Sequence, residues 1–394
     1  MAELDLDSIL NSVVPATQAR ERAWKRFGFL RNPYPSRSHP VWDVFYNQVE
    51  VKRRFLADLS EFLRERNTIT LFFSGGNRVG KTHFMEYHRQ ELTEKFRASG
   101  IVVPIAVTSA QSCDFKALYG QILDQLDESL RIQTGFRLFE EGISDEVKDK
   151  LDSLPPGDFR RAIEAASKAD NDILLLFRRW LRGDRIRAPQ RFLLGVNSPI
   201  ESQSHMLNAL EGLIKYLLLP EEVGSAAGAS NTQCRGMLLF LDEFELIWKA
   251  RRDRRDQFLQ ALRALIDSAP WGMFLCVGMA TGINVGMEEV EASYPALFAR
   301  LKGARDIPAL LQIGLVTDAI GYTRAFERHA RQKFENEMNS GGGNHEQLFS
   351  DQDIESFFKD LAGGGSVSQG DFFDRLHSEA ERKSQGDMAD DGDL

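Results

Sequence analysis

Residues 68–82 read TITLFFSGGNRVGKT, and this stretch decides the fold. Its first eight residues are short, β-branched and aromatic, as a strand buried on both faces should be. The glycines that follow suit a tight turn, and the pattern GGNRVGKT, from Gly75 to Thr82, fits GxxxxGK[ST] where a strand gives way to a helix. In such a turn Gly75, Gly76, Asn77, Arg78, Val79 and Gly80 curl the backbone so that successive amides face phosphate oxygens, and the helix N-terminus adds partial positive charge. Lys81 is expected to reach the β and γ phosphates, and Thr82 to offer its hydroxyl to a magnesium ion. The competing reading is an ordinary glycine-rich turn.

Around this centre the pattern is strand, helix, strand. An amphipathic helix is expected over 49–66, a helix over about 81–98, and a second apolar run, IVVPIAV, from Ile101, which implies a parallel βαβ unit. From Cys113 to Pro220 the pattern is helical, with breaks near Pro155 and Pro189. Strands return at GMLLFLDEF from Gly236 and MFLCVG from Met273, and beyond Arg305 the chain is helical again, interrupted by SGGGN from Ser340. The fold class is therefore α/β: a P-loop nucleotide-binding core with a parallel sheet flanked by helices, a large helical insertion, and a C-terminal helical lid. The domains expected are an N-terminal helical region and arm at 1–66, a core at 67–310 with the insertion at about 131–203, a lid at 311–384, and a disordered acidic tail at 385–394.

The run MLLFLDEFE ends a buried strand in two carboxylates, which is costly unless a metal or water network receives them. Asp242 is expected to hold magnesium and Glu243 to polarise an attacking water; a helix start with acids in its first turn is the alternative. Thr281, ending the strand FLCVGMATG, either senses a γ phosphate or caps the next turn. Arg300, in YPALFARL, either faces a neighbouring subunit's nucleotide as an arginine finger or complements a helix C-terminus. Arg178, Arg179, Arg182, Arg185 and Arg187 form a basic island around Trp180, suited to nucleic-acid phosphates with the indole available for stacking, or else to a solvated helix face.

Composition bounds these readings. The 394 residues carry a net charge of -9, 42% hydrophobic and 27% charged residues, and a mean hydropathy of -0.33, so the chain has material for a large core and is no polycation built to coat nucleic acid. No apolar run of membrane-spanning length occurs, and the start MAELDLDSIL is acidic where a secretory signal would be basic. Cys113, Cys234 and Cys276 form no CxxC, which excludes a zinc ribbon or disulfide scaffold. A cytoplasmic protein without membrane association is expected.

With both nucleotide motifs in view, the layout resembles AAA+ ATPases of the origin-recognition, transposition-regulator and STAND-like side of the superfamily. The segments FRRWLRGDRIR, HMLNALEGLIKYLLL, RGMLLFLDEFELI, LRALIDSAPWGMFLCVGMATG and YPALFARL look like the ATP-binding proteins of bacteriophage-exclusion (BREX) systems. The resemblance implies ATP and Mg2+ as ligands, with Lys81, Thr82, Asp242 and Glu243 as the ATPase residues, Thr281 as sensor and Arg300 as finger. It also implies that Phe29 and Tyr34, in FGFLRNPYP, lie on the adenine side. The partners implied are further copies of the chain, DNA, and an effector protein such as a nuclease, helicase or other defence component. One departure is the lid stretch GGGSVSQGDFFDRLH, whose Arg375 comes late in its helix, which points to slow hydrolysis with bound ATP acting as a switch. Two functions follow from the resemblance. One is an ATPase whose nucleotide state controls assembly and DNA or effector engagement, and the other is a STAND-like switch or scaffold with little turnover. A kinase is disfavoured by the adjacent acids, because it would need a hydroxyl acceptor there and not water.

Overall fold

The computed structural model describes residues 23–36, 39–134, 151, 154, 156–167, 171–218, 234–281, 287–302, 308–338 and 345–390. The chain divides into two compact units, one of Val49–Gly75 with Lys81–Leu310 and the other of Met1–Gln48, Gly76–Gly80 and Leu311–Leu394. The boundary expected after residue 66 therefore falls after Gln48, because the helix that follows packs on the sheet.

In the sheet unit, α1 (Val49–Glu65) leads into β1 (Ile69–Gly75), α2 (Lys81–Ser99), β2 (Ile105–Ser109) and α3 (Phe115–Thr134). Among the described residues there follow α4 (Asp158–Ser167), α5 (Asn171–Leu181), α6 (Ala188–Leu193) and α7 (Gln203–Leu218). The chain then re-enters the sheet as β3 (Met237–Asp242), a 3-10 helix (Phe244–Lys249), α8 (Arg252–Ser268) and β4 (Met273–Ala280), and closes with α9 (Met287–Ser293), α10 (Pro295–Lys302) and β5 (Ala309–Leu310). The sheet order is β2-β3-β4-β1-β5, and every pairing within it is parallel. The α/β class, parallel sheet, insertion and helical C-terminus follow the sequence pattern. Two details do not. The second strand begins only after Pro104, which has no amide to donate to a ladder, and the two-residue β5 is too short to show a period.

Both faces of the sheet are covered, which is why its strands read as unbroken apolar runs. Phe73 packs on Phe84 of α2, and Phe55 of α1 lies against Phe84, Phe240 and Phe274. On the opposite face Phe72, Leu239, Leu275 and Val277 join the core built by α3, α7 and α8. The free edge of β2 is also closed. Gln133 exchanges two hydrogen bonds with the Val103 backbone at 2.9 and 2.7 Å, and Ser129 accepts from the Ile105 amide at 2.8 Å. Gln125 accepts from the Val107 amide at 2.7 Å and donates to its carbonyl at 2.5 Å, and Gln121 accepts from the Ser109 amide at 3.2 Å. These four α3 side chains recur every fourth residue and so lie on one helix face, meeting alternate residues of the strand. They occupy the groups through which another chain's strand would add.

The second unit contains, among the described residues, the arm from residue 23, the turn Gly76–Gly80, and the helices α11 (Val316–Met338), α12 (Asp351–Ala362) and α13 (Gln369–Asp390). Ser350 caps α12 in a reciprocal capping box with Asp353, and Gly363 ends it in the left-handed region. The tail expected to lose structure from residue 385 continues α13 to Asp390; its last four residues, the linker at 224–233 and the glycine-rich stretch at 340–344 lie outside the described residues. Among the described residues no helix is long and apolar enough to cross a membrane.

Gln125→Ala removes both partners of the Val107 peptide and is expected to lower stability by about 1–3 kcal/mol, the cost of unmade buried hydrogen bonds. Gln121→Ala, which acts on a solvent-exposed amide, should change it by less than about 0.5 kcal/mol. Urea unfolding of the two variants checks the contrast.

Candidate nucleotide site at the carboxyl ends of the strands

Strand β4 lies between β1 and β3, so the turn after β1 and the acids after β3 open at the same edge of the sheet, one strand apart. The register sets Gly75 opposite Ala280, and the Thr281 amide donates to the Gly75 carbonyl at 2.9 Å. Thr281 is thereby anchored through its backbone at the strand end.

Lys81 and Thr82 begin α2. Lys81 is 9% exposed, and its ammonium donates to the Gly75 carbonyl at 3.3 Å. Burial pulls its pKa below the usual lysine value, a shift that the nearby Glu245 and Asp242 oppose. The Thr82 hydroxyl donates to Asp242 Oδ2 at 2.5 Å. Asp242 is 6% exposed; burial raises its pKa from the ordinary aspartate value, the hydrogen bonds from Thr82 and the Glu243 amide oppose the rise, and Glu243 and Glu245 add to it. Three carboxylates thus crowd a site whose buried cation, Lys81, is itself desolvated, and an added cation there would relieve the repulsion.

Glu243 holds a left-handed backbone, φ 56° and ψ 34°, at the entry to the 3-10 helix, a region that non-glycine residues seldom occupy and that recurs at functional sites. Its own amide donates back to Asp242 Oδ1 at 2.8 Å, and its carboxylate accepts from the Ser109 hydroxyl at 2.6 Å. Glu245 accepts from the Ala280 amide at 2.8 Å, tying the 3-10 helix to the end of β4. Ser109 was not readable as a site residue, because only strand pairing sets it beside Asp242, whereas Glu245, the last residue of MLLFLDEFE, lay in view beside the acid pair without a role assigned to it.

The turn Gly76–Gly80 belongs to the second unit. Gly80 has φ 95°, which demands glycine, and Arg78 has φ 60°. The turn leads straight into α2, whose first amides have no acceptor within the helix and so suit an anion. The Arg78 side chain, in contrast, is committed. It pairs with Asp371 at 2.5 Å and with Asp374 on α13, and its carbonyl accepts from the Gly370 amide at 2.9 Å.

The remaining predicted residues are dispersed. Phe29 and Tyr34 are 0% and 1% exposed, packed among the aromatic side chains of the second unit. The Tyr34 hydroxyl donates to Glu327 at 2.8 Å, and its ring stacks on Phe349 at 5.9 Å. Neither ring presents a face to a base; the arm spends them on its own core. Arg300 donates to Asp267 and, at 2.7 Å, to the Ala296 carbonyl, the use of an arginine near a helix C-terminus. Arg375 pairs with Glu379 at 3.2 Å and lies over the Phe357 ring. In the basic island, Trp180 is 2% exposed and its indole donates to the Ser198 carbonyl at 3.0 Å, so it is a core anchor, which removes it as a stacking platform. Arg178, Arg179, Arg182, Arg185 and Arg187 follow along the end of α5, the ensuing turn and the start of α6.

No protein-family profile and no curated protein matches the chain. Among solved structures it is similar to the Aeropyrum pernix ORC1 protein in complex with DNA, with 11% identity and a TM-score of 0.42 over 87% of this chain and 62% of that one. It is also similar to the Aeropyrum pernix ORC2 protein in its ADPNP–ADP complexes, with 12% identity and a TM-score of 0.41 over 88% of this chain and 72% of that one. The chain thus spans less than two thirds of the length of the ORC1 chain. Likenesses of this size transfer no activity.

The raised Asp242 pKa has a measurable consequence. Just above the ordinary carboxylate pKa the folded state retains a proton that the unfolded chain has released, so stability falls as pH rises through the folded value. Asp242→Asn keeps an acceptor for Thr82 and removes this term. The variant should be more stable than the parent at neutral pH, with a flatter dependence of Tm on pH. A variant that is less stable at neutral pH would contradict the electrostatic account.

Proposed function

We propose that this chain is a magnesium-dependent ATPase of the AAA+ type whose nucleotide state controls its assembly and its engagement of DNA or an effector protein. The observation that carries the reading is the 2.5 Å hydrogen bond from Thr82 to Asp242, with Glu243 next in the chain and held by Ser109. One hydroxyl and one carboxylate are the protein's share of a magnesium site completed by phosphate oxygens and water, and the raised Asp242 pKa fits that occupancy. When bound, the ion neutralises charge on the phosphates.

The protein's own contributions follow from its geometry. The amides of Asn77 to Gly80 and the helix N-terminus bind phosphate oxygens, and Lys81 offsets the charge that develops on transfer. Glu243 orients the attacking water and accepts its proton, and Ser109 positions that carboxylate. Thr281 and Arg300 stand as candidates for γ-phosphate sensing and a trans-acting finger; Arg300 would have to leave Asp267 to act in trans.

Slow turnover is favoured by one observation, that Arg375 is committed to Glu379 within its own helix. A STAND-like switch holding ATP and recruiting a separate nuclease or helicase is the second reading. The BREX-like segments support a place in anti-phage defence or DNA mobility, and the exposed arginines between α5 and α6 support DNA as a partner.

Lys81→Ala is expected to abolish ATP binding, whereas Glu243→Gln should retain it and cut hydrolysis about 10²–10⁴-fold. Isothermal titration with ATP and magnesium, with phosphate release measured in parallel, separates the two effects. Parent-like hydrolysis by both variants would remove the ATPase reading, and parent-like binding with no turnover even in the unsubstituted protein would select the switch.

A further inference from the structure

We propose that α6 is an apolar wedge framed by arginines that inserts Phe192 and Leu193 against the base steps of duplex DNA; this deepens the DNA part of the proposed function and rests on it. The six-residue helix has no buried residue. Phe192 is 85% exposed and Leu193 56% exposed, and no other phenylalanine among the described residues is exposed. A mere connection between helices gains nothing from two large apolar side chains in water, since their transfer into an apolar setting is favourable.

The wedge stands on a fixed base. Ile186 and Leu194, on either side of α6, are 6% and 0% exposed. The Gly195 carbonyl accepts from Arg161 Nε at 2.7 Å, and the Asp158 carboxylate accepts from the amides of Asn197 and Ser198, each at 3.1 Å. The chain therefore enters and leaves the helix through anchored residues, so little ordering remains to be done on binding.

Charge complementarity selects the occupant. Residues 178–193 contain six arginines and one acid, in a chain of net charge -9. Arg179 and Arg182 pair with Asp184 and Asp124 at 4.0 and 2.7 Å, but both pairs are solvent-exposed and readily exchanged. Arg185, Arg187 and Arg191, which lie closest in the chain to Phe192, have no carboxylate partner among the described residues. Guanidinium groups around an apolar pair match a polyanion with a stacked apolar interior, where arginines neutralise phosphates and a Phe–Leu wedge opens a base step. Two apolar side chains on less than two helical turns offer little to a bilayer, which favours a longer apolar face.

The test uses the full chain and a labelled duplex carrying 2-aminopurine, read by anisotropy over a salt series and by fluorescence of the probe base. The parent should bind the duplex and brighten the probe by unstacking it. Phe192→Ser with Leu193→Ser should abolish the brightening and weaken binding roughly tenfold at unchanged salt dependence, because no phosphate contact is lost. Arg185→Ala with Arg187→Ala and Arg191→Ala should lower the slope of log affinity against log salt by about 2.7, from about 0.9 per contact. All substituted positions are surface residues, and an unchanged Tm confirms folding of each variant. A serine variant that binds and brightens like the parent overturns the wedge while leaving DNA binding intact. A parent that binds no duplex overturns the DNA reading and the wedge with it. Serine-sensitive binding to anionic vesicles or single-stranded RNA, without duplex unstacking, reassigns the surface and overturns the proposal.

Discussion

Strand β4 is hydrogen-bonded on both sides, to β1 from Ile69↔Phe274 to Gly75↔Ala280 and to β3 from Met237↔Met273 to Leu241↔Val277. All eight of its residues are buried. The geometry of the candidate site descends from this double pairing. A one-residue slip would reverse every side chain on the strand and expose half of two cores, so the register is held by apolar packing on both faces. With the register fixed, the ends of β1, β4 and β3 stand in a row, and Gly75, Thr281 and Asp242 are placed relative to one another before any polar contact forms. The Thr82–Asp242 and Ser109–Glu243 hydrogen bonds then close gaps that the strands have already set.

The electrostatics of that row are unbalanced in the unliganded protein. Asp242 is buried beside two other carboxylates and has a raised pKa; Lys81 is buried and has a lowered one. Both shifts arise mainly from desolvation, so the site has given up water around its charges without full compensation from the protein. The left-handed Glu243 is a further local cost that the surrounding hydrogen bonds hold in place. Such sites trade stability for binding, which is why removing the Asp242 charge should stabilise the empty protein.

The closure of the β2 edge by α3 follows the same logic of satisfied backbone. A parallel sheet leaves its outermost strand with unpaired amides and carbonyls, and Gln121, Gln125, Ser129 and Gln133 take them up. In the second unit, Asn32, Tyr34 and His377 do comparable work for the arm. Asn32 donates to the His377 carbonyl at 3.1 Å and to Glu381 at 3.0 Å, and the His377 ring meets the Tyr34 carbonyl at 2.9 Å. The aromatic arm is thereby an internal part of that unit, which accounts for the full burial of Phe29 and Tyr34.

Local signals in the chain announced the strand–turn–helix at 68–82, the acid pair ending an apolar strand, and the helical insertion and C-terminus, because each rests on a contiguous pattern: buried strands must be apolar, a phosphate turn needs glycine, and amphipathic helices repeat. A single sequence also carries the glutamine spacing of α3 and the Phe192–Leu193 pair, but not their meaning, since edge closure and exposure are properties of what lies alongside. Tertiary structure alone decided that Ser109 joins the acids, that Trp180 is an anchor, that Arg300 and Arg375 are spent on neighbours, and that Phe29 and Tyr34 are core. In each case the deciding quantity is burial or a partner distant in the chain, and periodicity encodes which face of an element is apolar, not which other element will cover it.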